Sequence, residues 1–328
     1  MIRADLAGIR HRITPHASAD AAPPQDRFEG AGLASPLVHK LKAAYGFLFG
    51  PVGHPPEPPR LHGEAYLLRP DGQTQVIRRG HHSDPHGNDV PSEAVVNNRV
   101  VIALEGINND AAEASVTLAQ VMEKGGPNTV RLGQPMIVIH EGIEKTRGAA
   151  MSRIGHDVEL MKRDQRGSHV REKAFQTDAA VQTCYDLVKQ QLDRGRDVLL
   201  VPHSGGGAES GLALNLLARH GYEKAIGEHV RVMTFAGMAS PEDYVRGGVK
   251  PENVLFVGDQ HDAIAVTGSQ FIDPHHPKAG AEELEHTLKQ PGMIFTLGPV
   301  HSLPNIMNKT HDHVQAFLDG GPGGTYLA

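Results

Sequence analysis

The chain has 328 residues, of which 39% are hydrophobic and 21% charged, with a formal net charge of −6; this is the profile of a soluble globular chain long enough for one large α/β domain. The acidic balance leaves no basic footprint for a polyanion, which excludes nucleic acid as an expected partner, and no run of about 18 apolar residues is present to span a membrane. One cysteine, Cys184, excludes an internal disulfide framework, and the segment Met1 to Arg10 lacks the apolar core of a secretory signal, so residence in the cytoplasm, or export without a cleaved signal, is expected.

In chain order, residues 1–60 read as a Pro-rich, largely irregular extension. Ala21-Ala22-Pro23-Pro24 and Pro55-Pro56-Glu57-Pro58-Pro59 exclude helix and inner strand, and a short helix is expected only around Pro36 to Phe49. Glu64 to Arg69 and Gln73 to Arg78 flank Pro70-Asp71-Gly72, the pattern of a β-hairpin. From Arg99 strands alternate with helices, which implies βαβ units and a mostly parallel sheet covered on both faces. The strands are read at Val100 to Leu104, Pro135 to Ile139, Asp197 to Val201, Val230 to Phe235, Val254 to Val257 and Met293 to Leu297. Between them, Asp110 and Glu113 have the spacing of a capping box, a long helix runs from about Lys173 to Asp193, and a last helix covers Leu303 to Leu318. The Gly-rich residues 320–328 read as a flexible tail.

The most informative stretch is Pro202-His203-Ser204-Gly205-Gly206-Gly207, between the Asp197 to Val201 strand and a helical run from Ala208. A strand that breaks at a serine and turns at once into a helix has the geometry of a nucleophile elbow, which lifts one hydroxyl above the sheet edge. So sharp a turn strains the serine backbone and needs a small residue two positions on, a demand that Gly206 meets. The helix start near Gly205 points free N–H groups at the serine, suited to an oxyanion. The bland alternative is a Gly-rich turn after a parallel strand, a phosphate cradle included. A Walker loop, however, ends in Gly-Lys-Ser/Thr, and no lysine stands here.

A serine hydroxyl is a weak nucleophile without a histidine base and a carboxylate to orient it. In open parallel sheets ligands sit beyond the carboxyl ends of the strands, so partners are sought just after later strands. After Val257 come Asp259 and Asp262, with Asp262 the preferred acid and Asp259 the alternative; after Leu297 comes His301, at a loop-to-helix junction. His311 and His313 fit a solvated helix face better. The 21 histidines cluster in turn-rich runs such as His81-His82 and His275-His276, without the spacing of a metal centre, so no metal is expected.

The order serine, aspartate, histidine after successive strands, together with His203-Ser204-Gly205-Gly206, resembles the α/β-hydrolase superfamily and its lipases and esterases. Pro202 stands where the usual elbow has glycine; a proline ending a strand needs no ladder donor there. The resemblance implies an α/β-hydrolase fold: a mostly parallel central sheet, an N-terminal antiparallel hairpin and helices on both faces, over residues 61–319. It implies a serine esterase or lipase-like hydrolase of carboxylic, including lipid, esters, working without a cofactor through Ser204, His301 and Asp262. The oxyanion donors it implies are the N–H groups of Gly205 and, in the turn after the Val100 strand, Ile107; Glu105 stands where many relatives carry histidine. The short stretch from Phe235 to Asn253 leaves little room for a helical cap, whereas Glu141 to Glu172 is long and basic enough for a lid or a rim. An acyltransferase on the same fold, or a non-catalytic interaction protein, is the alternative.

Overall fold

Aliphatic and β-branched runs bounded by turn formers become the strands. The computed structural model describes residues 62–78, 90–106, 132–140, 178–260, 262 and 303–328, all within the unit Leu48–Ala328. The strands are β1 (Ala65–Leu68), β2 (Thr74–Arg78), β3 (Arg99–Leu104), β4 (Met136–Ile139), β5 (Asp197–Pro202), β6 (Val230–Phe235), β7 (Val254–Gly258) and β8 (Gly324–Leu327). The helices are α1 (Ala179–Asp193), α2 (Gly206–Leu217), α3 (Glu223–His229), α4 (Pro241–Arg246) and α5 (Leu303–Leu318).

Among the described residues the strands form one eight-stranded sheet in the order β2-β1-β4-β3-β5-β6-β7-β8. β1 is antiparallel to both β2 and β4, and every pair from β4 to β8 is parallel. The protein is therefore of the α/β class, with a hairpin at one edge turned by Gly72 at φ +84°. β3 is entered through Asn97 and Asn98, whose φ angles of 51° and 61° suit the short polar side chains that tolerate this region.

Alternation along the strands sorts two core layers. Leu67, Ile102, Leu104, Ile137, Ile139, Leu200 and Val232 pack with the inner faces of α1 and α2. Tyr66, Val101, Ala103, Val138, Val201, Phe235 and Leu255 pack with Ile306, Val314 and Phe317 of α5. All twelve residues of α2 are buried, as expected for a helix with no polar face. Asp178 caps α1 by accepting from the N–H groups of Ala180 and Val181, both at 3.0 Å. Ser240 and Asp243 close a capping box at α4, with Pro241 in the first turn, so this short helix occupies the stretch read as too brief for a cap. Among the described residues no helix is long and apolar enough to cross a membrane.

One expectation is corrected. Residues 320–328, read as a flexible tail, supply the edge strand β8, parallel to β7. Gly323 serves close approach: a Cβ on it would overlap the backbone of Val254, while its N–H donates to the Glu252 carbonyl at 2.7 Å. Residues 1–60, the helix expected at Asp110, the insertion 141–172, the histidine-rich runs and the strand at Met293 to Leu297 lie outside the described residues.

Candidate functional site

The chain passes from β4, on one side of β3, to β5, on the other. This reversal opens a crevice at the carboxyl ends of β3 and β5, the usual place for a ligand in an open α/β sheet. Ser204 stands there, two residues after β5 and two before α2. Its φ is +53°, a left-handed conformation that costs a non-glycine residue about 1–3 kcal/mol and persists only where its surroundings enforce it.

The enforcement comes from both flanking strands. The His203 N–H donates to the Leu104 carbonyl at 3.0 Å, the Ser204 N–H to Phe235 at 3.1 Å, and the Met238 N–H to the Ser204 carbonyl at 2.9 Å. Small residues complete the turn: a Cβ on Gly206 would lie 2.7 Å from both the Cβ and the carbonyl oxygen of Leu104. The N–H groups of Gly206 and Gly207 bond back to His203 and Ser204 at 3.0 Å. That of Gly205 has no backbone acceptor among the described residues. Ser204 itself is buried, at 5% exposure.

Around this turn the described carboxylates are unusually buried. Asp262 and Asp259 are both at 0% exposure, just beyond β7, and the Asp262 N–H donates to the Asp259 carbonyl at 2.9 Å. Lys309 of α5 donates to the Asp259 carboxylate. The structure thus brings Asp262 and Asp259 to the same end of the sheet as Ser204 and Gly205, whereas His301 and Ile107 lie outside the described residues. Of the two other histidines weighed, His313 is exposed and stacks on Tyr326, with ring centroids 3.7 Å apart.

Two polar groupings escaped the sequence reading. At the end of β3, Glu105 is 3% exposed and accepts from the Tyr66 hydroxyl on one oxygen and from His140 Nδ1 on the other. On the opposite face, His62, Asp178 and Glu209 offer an imidazole nitrogen and two carboxylate oxygens, all within 4.8 Å of one another. That donor set is of a type that holds divalent cations, although Asp178 already has work as a helix cap and as the partner of His62 at 3.2 Å. The signal for the first grouping was present: Glu105 and His140 each directly follow an apolar strand run. Only the pairing of β3 with β4 shows that they meet.

Cys184, on α1, is fully enclosed, and burial pushes its thiol well above the ordinary range, which removes it as a nucleophile. Compared with family models, with curated proteins and with solved structures, the chain matches none.

Proposed function

We propose that the protein is a serine hydrolase of the α/β-hydrolase fold that cleaves carboxylic esters, lipid esters included, through an acyl-enzyme on Ser204. The observation that carries this reading is the left-handed backbone of Ser204 at a strand-to-helix turn on the sheet's switch point. A buried strained serine is expensive to keep, and strain of this kind gathers at reactive groups.

In this mechanism His301 takes the proton of Ser204 as the hydroxyl oxygen attacks the acyl carbonyl, and Asp262 holds the imidazole in the required tautomer. The tetrahedral oxyanion is stabilised by the N–H groups of Gly205 and Ile107, where one preorganised donor is worth about 3–4 kcal/mol. His301 then returns the proton to the departing alcohol oxygen as the carbon–oxygen bond breaks. Water, deprotonated by the same imidazole, attacks the acyl-enzyme and frees Ser204. Asp262 is preferred to Asp259 as the orienting acid because one Asp259 oxygen is taken up by Lys309.

The test is labelling by a fluorophosphonate probe together with turnover of a short-chain nitrophenyl ester. Wild-type protein labels and Ser204→Ala does not. Equal labelling of the two, or none of either, overturns the assignment.

A further inference from the structure

Glu105 and His140 follow the last residues of β3 and β4, and His203 follows the last residue of β5. The register aligns Ile139, Leu104 and Pro202 across these three strands. One step further on, alternation turns His140, Glu105 and His203 to the face that carries Tyr66, Ala103, Val138 and Val201. A polar row therefore crosses the carboxyl ends of three adjacent strands, directly beside the serine turn.

Within that row the Glu105 carboxylate is gripped on both oxygens, by Tyr66 and by His140. His140 is at 0% exposure and its Nε2 has no hydrogen-bond partner among the described residues. Burying an imidazole with one nitrogen unsatisfied costs about 1–3 kcal/mol, so the ring's contact with Glu105 is the described one that accounts for the residue. The backbone of His140 is fixed as well: its N–H donates to the Glu64 carbonyl and its carbonyl accepts from Gly63, both at 2.8 Å. The next residue after the gripped carboxylate, Gly106, lies against the serine: a Cβ there would stand 2.9 Å from both the Ser204 Cβ and His203 Nδ1.

We infer that the Tyr66–Glu105–His140 grouping is a positioning device that holds the exit of β3 against Ser204 and so sets the place of the serine turn. The inference rests on the hydrolase reading above. Among the described residues the Glu105 carboxylate meets Tyr66 and His140 and not Ser204, and it acts through Gly106. A shift of the β3 exit by a few tenths of an ångström displaces the serine turn from the geometry needed in the transition state and leaves ground-state binding nearly unchanged, so the loss falls on kcat.

The test uses the full chain. Tyr66→Phe and Glu105→Gln are expected to lower kcat on a nitrophenyl ester about 10-fold, with KM within about twofold. His140→Asn, which keeps a donor near the Nδ1 position, is expected to retain several-fold more kcat than His140→Ala. Amide exchange of a peptide spanning Gly106 is expected to quicken in Glu105→Gln, while a peptide from β6 keeps its wild-type rate. Wild-type kcat in Tyr66→Phe and Glu105→Gln, equal loss in the two His140 variants, or unchanged exchange at Gly106 overturns the device. Wild-type protein that neither labels nor turns over, with exchange at Gly106 still quickened in Glu105→Gln, overturns the hydrolase reading and leaves the clamp standing as a structural one.

Discussion

Lys309, in the second turn of α5, donates its ammonium to the Asp259 carboxylate at the end of β7. The lysine is 41% exposed and the aspartate 0%, so the two are not equivalent: removing the cation leaves a charge inside, whereas removing the charge leaves a cation that water can solvate. Lys309→Met is therefore expected to cost about 3 kcal/mol in denaturant unfolding and Asp259→Asn clearly less. Asp262→Asn is expected to do the reverse, with small loss of stability and a fall in kcat of roughly 100-fold or more. A larger kcat effect at Asp259 than at Asp262 would exchange their roles.

Ser204 adopts φ +53°, and only glycine visits that region without strain. Ser204→Ala keeps the strain and Ser204→Gly releases it. Both variants are expected to lose probe labelling, and the glycine variant is expected to unfold at a free energy about 1 kcal/mol higher than the alanine variant. Equal stabilities would mean that the turn relaxes when the hydroxyl is absent.

Gly323 has no space for a methyl group because the backbone of Val254 lies against it. Gly323→Ala is expected to lift β8 from β7 and destabilise the protein by about 1–3 kcal/mol. Gly320→Ala, with open space around its Cβ but φ +96°, tests strain alone and is expected to cost about 1–2 kcal/mol. The two effects separate by structure: only the Gly323 variant is expected to speed amide exchange along β8.

Cys184 is enclosed, and burial raises its thiol pKa far above neutrality. A neutral maleimide is expected to leave the native protein unmodified at pH 7 and at pH 9 alike, and to react stoichiometrically in denaturant. Raising the pH does not help, because the folded thiol stays protonated across that interval while the unfolded one ionises. Rapid labelling of the native state would show that α1 opens locally.

Much of the architecture could be read from the residues because uninterrupted apolar runs between turn formers leave few other outcomes. The hairpin around Asp71-Gly72 and the strands from Arg99 to Gly258 fall where period and punctuation put them. The serine turn was legible for the same reason, since a strand, a serine and three glycines admit few backbones. β8 was not, because glycines required for contact and glycines that confer freedom look alike until a neighbour is placed beside them. Nor were the partners of Glu105: His140 and Tyr66 are distant in the chain, and only sheet register brings them together. The ion pair of Lys309 with Asp259 joins a helix to a strand end about fifty residues earlier, a separation at which sequence pattern carries no pairing information.

The order of the strands also governs when the serine turn can exist. Its left-handed backbone hangs on acceptor carbonyls of Leu104 and Phe235, one lying before it in the chain and the other after, so closing the loop between β3 and β5 must come first and is entropically slow. During refolding, helical signal from α1 and α2 should therefore recover ahead of competence to react with the probe. The left-handed turn is a late product of chain assembly, not a local property of six residues.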